Sequence, residues 1–325
     1  MRSAIEWGER HQVVLYIAAI AVGAAVGLLQ PGLAHPLERA ITPVLGLLLY
    51  ATFLGIPFTR IARAFRDWRF LSAVLVLNFV LVPIIVFGLS RFVAHDTALL
   101  VGVLFVLLTP CVDYVIVFSG LAGGARDRLL AATPLLMLLQ IALLPVYLWL
   151  MAGPAVISAF DARPFIEAFL LLIVLPLALA ALTQLLARRS RIFRSIQGGM
   201  LRAMVPLMML TLAVVVGSQV SAVGGSIGSL LVVVPVFAVF VLIAAPLGAL
   251  VGRVALLEVA ERRAVVFSGV TRNSLVVLPL ALALPAPFAL TPLVVVTQTL
   301  VELVAMVVMV AVVPRLVRGS LRAPA

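Results

Sequence analysis

Residues 97–121 read TALLVGVLFVLLTPCVDYVIVFSGL, and residues 263–284 read RAVVFSGVTRNSLVVLPLALAL. Each run is apolar and long enough to cross a bilayer core, which takes about 20 residues of helix. Each is also interrupted at its centre. Pro110 and Asp113 stand in the middle of the first, and Gly269 and the polar run Thr271-Arg272-Asn273-Ser274 in the middle of the second. Such interruptions free backbone carbonyls and amides, which are tolerated at membrane depth only beside protein or a water-lined cavity. The pattern predicts two broken helices crossing at the midplane, with half-helix ends turned towards an ion or a substrate.

The rest of the chain agrees with a membrane setting. Of 325 residues, 65% are hydrophobic and 11% charged, against roughly half and a quarter in a soluble domain. Apolar runs bounded by Arg, Gly and Pro place spans near 12–30, 40–58, 69–91, 97–121, 128–152, 164–187, 201–219, 229–252, 263–284 and 289–313. The expectation is an all-α polytopic protein of ten transmembrane helices, the broken ones being the fourth and ninth, with no room for a soluble catalytic domain. All 23 basic residues are Arg. With a cytoplasmic N-terminus, 19 fall on inside segments and 3 (Arg39, Arg91 and Arg163) on outside loops, while Arg272 lies within a span. That split obeys the positive-inside rule and puts both termini in the cytoplasm of a multi-pass protein of the cell inner membrane. The net charge of +11 is therefore a topology signal, and no nucleic-acid partner is expected.

Other functional classes lack their motifs. The single cysteine, Cys111, excludes a disulfide framework or a cysteine-based metal cluster, and no cofactor is expected. Gly224-Gly225-Ser226-Ile227-Gly228 fits GxSxG, but that motif needs a strand-turn-helix elbow and a His partner. This stretch reads instead as an exterior loop, and His11, His35 and His95 all fall at loop positions. Neither HExxH nor GxxxxGK[ST] occurs, so metalloprotease and ATP-driven chemistry have no support. The sequence predicts no enzyme and carries no signal for an oligomeric state.

Internal repetition sharpens the architecture. TPLLMLLQ from Thr133 recurs as TPLVVVTQ from Thr291, aligning Gln140 with Gln298 at an offset of 158 residues. Two five-helix repeats follow, residues 1–158 and 159–325, the second inverted because each has an odd number of spans.

Three charges lie inside spans: Asp113, Arg272 and Glu302. A charge at a helix centre costs roughly 2.5–3.5 kcal/mol on insertion scales, so each is a candidate for function. The repeat offset maps Asp113 onto Thr271, beside Arg272, which predicts that the two charges are close, either as a packing ion pair or at the substrate. Glu302 reads as a partner for polar groups on neighbouring helices, with proton carriage the alternative. Asn78, Thr109, Ser119, Ser268, Asn273, Gln140 and Gln298 are neutral groups able to hydrogen-bond either a solute or a neighbouring helix. Cys111, two residues before Asp113, is either a small buried side chain or an activated thiol beside a helix break.

CVDYVIVFSGLAGG, from Cys111, resembles the fourth-span motif of the arsenite efflux permeases, within the bile acid/sodium symporter superfamily. FSGVTRNS, from Phe267 to Ser274, is similar to the ninth-span crossover of that superfamily, with its Asn at Asn273. The resemblance implies a core and a panel domain, crossing of spans four and nine in the core, and alternating access. It also implies a functional role for Cys111 as a possible arsenite ligand. The chain departs from the pattern in three places. Leu275 stands where the permeases have an acid, and Ser268 and Arg272 stand where the sodium-coupled branch has Glu and Gln. A fixed positive charge at Arg272 argues against a cation in that spot and leaves Asp113 as the candidate proton carrier. The expected function is efflux of arsenite or antimonite, proton-coupled or uncoupled. The alternative is an ion-coupled symporter for a small organic anion whose carboxylate pairs with Arg272.

Overall fold

The computed structural model describes residues 2–55, 67–112, 114–154 and 170–318. Among the described residues there are helices and turns but no strand, as expected of an all-α membrane protein. In chain order the helices are α1 (Arg2–Leu29), α2 (Ala34–Gly55), α3 (Trp68–Val76), α4 (Val82–Ser90), α5 (Thr97–Leu107), α6 (Tyr114–Leu121) and α7 (Arg126–Ala152). They continue as α8 (Leu175–Ala187), α9 (Arg191–Arg202), α10 (Met204–Val254), α11 (Val259–Val270), α12 (Ser274–Leu282) and α13 (Thr291–Leu316). Five helical stretches among the described residues are long and apolar enough to cross a membrane, or six if the pair Arg191–Arg202 and Met204–Ser218, bent by 52°, counts as one span. Spans four and nine of the sequence reading are each interrupted, at 108–112 and 271–273.

One sequence expectation fails, and one segment is more ordered than its reading implied. The stretch Gly224–Gly228, read as an exterior loop, has helical backbone within α10. Each glycine weakens a helix by about 1 kcal/mol relative to Ala, but no proline within the stretch removes a donor, so the hydrogen-bond ladder runs through. Residues 191–202, counted as part of an inside loop for their arginines, form α9. Ile192 and Ile196, four apart and exposed, lie on one face of α9 with Arg194 and Arg202 elsewhere around it, the arrangement of a helix lying along a membrane surface.

The chain divides into two compact units, each drawing on both halves of the sequence. Unit 1 comprises Met1–Ile56, Phe160–Leu231 and Leu278–Val296. Within it Gly23 and Gly27 of α1 lie against the backbone of Ala213 and Gly217 in α10, so closely that a Cβ on either glycine would collide with it. This is the small-xxx-small device by which helices associate in lipid, where apolar side chains gain nothing from leaving water. Within the same unit, α2 meets α8. The Tyr50 and Thr183 hydroxyls hydrogen-bond at 2.8 Å, and the Gln184 amide donates to the carbonyls of Phe53 (3.1 Å) and Leu54 (3.2 Å) at the C-terminal end of α2.

Unit 2 comprises Pro57–Ala159, Val232–Val277 and Thr297–Ala325. Its centre is α5, buried on every side from Ala98 to Leu107, which explains why that helix is apolar all round rather than amphipathic. Asp96 caps it, accepting from the amides of Ala98 (2.9 Å) and Leu99 (3.1 Å). A π-helical turn, Leu77–Leu81, separates α3 from α4. Pro83 follows it and has no N–H to offer the carbonyl of Phe79, four residues back. The Tyr147 hydroxyl of α7 donates to that carbonyl instead, at 2.6 Å. Two arginines counted above only as topology signals tie helix ends together. Arg263 donates to carbonyls of Ala122 (3.1 Å) and Val317 (3.2 Å), just past α6 and α13. Arg91 donates to the carbonyl of Met151, near the end of α7, at 2.9 Å. Both complement the negative end of a helix dipole.

Candidate functional site

The two breaks meet within unit 2. Pro110 and Arg272 form an antiparallel bridge, flanked by hydrogen bonds from the Cys111 amide to the Thr271 carbonyl (3.3 Å) and from the Asn273 amide to the Thr109 carbonyl (2.8 Å). Each unwound segment thus satisfies part of the other's freed backbone, as the absence of water at this depth demands. α5 and α11 arrive at the crossing with their C-terminal, negative ends, and α6 and α12 leave it from their N-terminal, positive ends.

Arg272 has no solvent exposure. Its Nη1 donates to the Leu107 carbonyl at 3.2 Å. Its Nη2 donates to Asn78 Oδ1 (2.8 Å) and lies against the carbonyls of Ser268 (2.9 Å) and Gly269 (2.6 Å). Leu107 is the last residue of α5, and Ser268 and Gly269 lie in the last turn of α11, so two helix C-termini converge on one guanidinium. The Phe240 ring lies under it, 5.3 Å from Cζ to centroid, adding a cation–π contact. Asn78 reaches this place from the π-helical turn, donating to Ser268 Oγ (2.9 Å) and to the Val74 carbonyl (3.0 Å). A Cβ on Gly269 would displace the side chain of Leu77, which belongs to the same turn.

Glu302, on α13 and 2% exposed, accepts the backbone N–H of Arg272 on both carboxylate oxygens, at 3.1 and 3.0 Å. Gln298, one turn earlier, donates to the same carboxylate. The acid therefore holds the unwound backbone as well as balancing charge in the cluster. Thr271 turns its hydroxyl back to the Phe267 carbonyl (2.7 Å), and Thr109 does the same to Phe105 (2.9 Å). Both side chains serve helix ends and leave the crossing to backbone groups.

Other predicted residues stand differently. Cys111 is 1% exposed and joins the crossing through its backbone amide. The side chain of Asn273, also 1% exposed, makes no hydrogen bond with either its nitrogen or its oxygen, and Ser274 Oγ is likewise unpartnered and buried. Gln140 on α7 and Ser119 on α6 are buried with unpartnered polar atoms, and no hydrogen bond ties either to the Arg272 cluster. Asp113, and with it the expected pairing of Asp113 with Arg272, lies outside the described residues. Sequence reasoning singles out neither Leu107 nor Phe240, which act through a carbonyl and a ring face, and reads Gly269 only as a helix break, not as the source of a carbonyl. Among the described residues no group of three or more His, Cys, Asp or Glu is placed to hold a metal ion.

The unwound segments of two helices thus meet around a buried charge. The model of the sodium bile acid symporter family matches residues 42–230, more than half of the chain. The chain belongs to that family. Members of the sodium bile acid symporter family are membrane transporters and not enzymes, so the chain is a multi-pass secondary transporter. The matched stretch contains Asn78, Cys111 and Gln140 and ends before α11, so the family match does not cover the segment bearing Ser268, Arg272 and Asn273. No curated protein matches the chain.

Proposed function

We propose that this symporter-family chain exports a small, uncharged, thiol-seeking solute, arsenite or antimonite, across the cytoplasmic membrane by alternating access, with both termini in the cytoplasm. The observation that carries the reading is the placement of Cys111 in the crossing itself, one residue from the Pro110–Arg272 bridge and buried. Beside that crossing the Asn273 amide and the Ser274 hydroxyl are neutral, buried and unpartnered, while both Nη atoms of Arg272 already face oxygens. Arsenous acid at neutral pH is an uncharged trihydroxide whose hydroxyls suit an amide and a hydroxyl. Its arsenic exchanges one hydroxide for a thiolate, the thiol proton leaving with that hydroxide as water, and reverses the exchange on release. The ten-span architecture of two inverted repeats, 1–158 and 159–325, belongs to this proposal, with unit 2 as core and unit 1 as panel. The interleaving of both halves in each unit supports it. Asp113 is the proposed proton carrier.

The test is arsenite accumulation in an arsenic-sensitive bacterial host expressing the wild type or Cys111→Ser, with membrane insertion verified for both. Reduced accumulation with the wild type alone supports the reading. Reduction with both returns Cys111 to packing, and no reduction with inserted wild type removes metalloid export.

A second reading has one observation in its favour: the family's description names a bile acid, an organic anion. A carboxylate would then be held by Asn273 at the positive N-terminal end of α12, since the Nη atoms of Arg272 are engaged within the protein. Sodium-dependent uptake of an organic anion, indifferent to Cys111→Ser, distinguishes this reading.

A further inference from the structure

The surroundings of the Arg272 guanidinium are unusual for an arginine. Three oxygens, from Asn78, Ser268 and Gly269, lie 2.6–2.9 Å from the single atom Nη2. An Nη2 amine has only two hydrogens, so three oxygens at that range exceed what it can satisfy by directed bonds. Three oxygens around one point are what a spherical cation gathers. Hard cations of calcium's size draw such oxygens to about 2.3–2.6 Å, a small contraction from the distances here. All three oxygens, and that of Leu107 on Nη1, are uncharged carbonyl or amide oxygens. Three of the four are backbone carbonyls at the C-terminal ends of α5 and α11, and unwound carbonyls and half-helix C-termini are the groups with which broken membrane helices coordinate monovalent cations. The family is described by its sodium ion, but here a sodium ion does not fit, because the guanidinium already takes these oxygens. Arginine stays protonated throughout the accessible pH range, so the charge does not leave by titration.

We infer that Arg272 is a tethered cation: its guanidinium fills a monovalent-cation cage at the crossing, assembles that crossing without sodium, and leaves a sodium-binding cage behind when it is removed. Asn78 supplies the one side-chain oxygen and the π-helical turn sets its reach. Ser268 and Gly269 supply carbonyls that the end of α11 has already released from helical pairing. The inference concerns the same crossing as the transport reading but does not depend on which solute is carried.

The experiment reads cation binding and not transport, so its failure and that of metalloid export are separable. Purified wild type and Arg272→Gln are unfolded thermally in sodium, potassium and choline chloride at equal ionic strength. The wild type should melt within about 1 °C in all three salts. Arg272→Gln should melt lower in choline and rise saturably with sodium, by about 5 °C at saturation. As a second arm, Arg272→Ala should be stabilised by millimolar guanidinium, which restores the missing group as a free ion, under conditions where the wild type is unaffected. Wild type stabilised by sodium as strongly as Arg272→Gln overturns the inference. So does a folded Arg272→Gln indifferent to sodium. Failure of both variants to fold in sodium, potassium, guanidinium or choline overturns it too, because a cage that no mobile cation can occupy is only a structural anchor.

Discussion

Replacing Asn78 with Leu keeps the number and branching of the side-chain heavy atoms and removes three hydrogen bonds at once: those to Arg272, Ser268 and the Val74 carbonyl. They are not equal. The bond from Asn78 to Ser268 joins two neutral groups across helices, an interaction that averages about 0.6 kcal/mol in membranes. The bond accepted from the Arg272 guanidinium involves a charge and is worth about 1.5–3 kcal/mol, since the donor is fully buried and water does not replace the lost acceptor. The sum is about 2–3.5 kcal/mol, or roughly 30- to 400-fold in the unfolding equilibrium. A double-mutant cycle isolates the charged part. In an Arg272→Met background the guanidinium is gone, and Asn78→Leu should then cost only the neutral remainder, about 0.6–1 kcal/mol. The expected coupling between the two positions is therefore about 1.5–3 kcal/mol. Reversible unfolding in mixed micelles, followed by tryptophan fluorescence, measures all four corners. A coupling below about 0.5 kcal/mol, the range in which independent residues add, would refute the claim that Asn78 is there to hold the guanidinium.

Two further predictions address the scaffold. Tyr147→Phe should cost about 1–2 kcal/mol by leaving the Phe79 carbonyl without its donor, and almost nothing in a Pro83→Ala background, where the chain regains its own N–H. Equal losses in both backgrounds, measured by thermal unfolding, would show that the hydroxyl does something else. Gly27→Leu should lower folded yield and melting temperature, because its side chain has no room against Gly217 and Val220, whereas Gly32→Leu, into open space, should not. Indistinguishable melting curves for the two variants would contradict the close approach of α1 and α10.

Proline and polar residues inside an apolar run are expensive in lipid, and for that reason the two breaks were visible in the sequence before their crossing was. Pro110 and the run from Gly269 to Ser274 marked where the helices would open. What they would bind was not visible. Leu107, Ser268 and Gly269 hold Arg272 through backbone carbonyls, and every residue has one of those. The π-helical turn that delivers Asn78 leaves only Pro83 as a trace. The glycines at 224–228 have low helix propensity and so suggest a loop, although nothing there removes a backbone donor and the helix continues. The arginines of α9 report topology by their number, whereas its helix shows only in the four-residue spacing of Ile192 and Ile196. Arg263 and Arg91 were read as topology signals alone, yet each also ties helix ends together, which no charge count reveals.

The attachment of Arg272 to the chain also bears on energy supply. A mobile cation that rides with its solute crosses the whole membrane potential and draws about 2.3 kcal/mol per 100 mV from it in each cycle. A guanidinium bound to its own backbone returns with the protein, and its net displacement over a complete cycle is zero. Whatever gradient drives this carrier, the charge on Arg272 makes no contribution to the voltage dependence of the completed cycle.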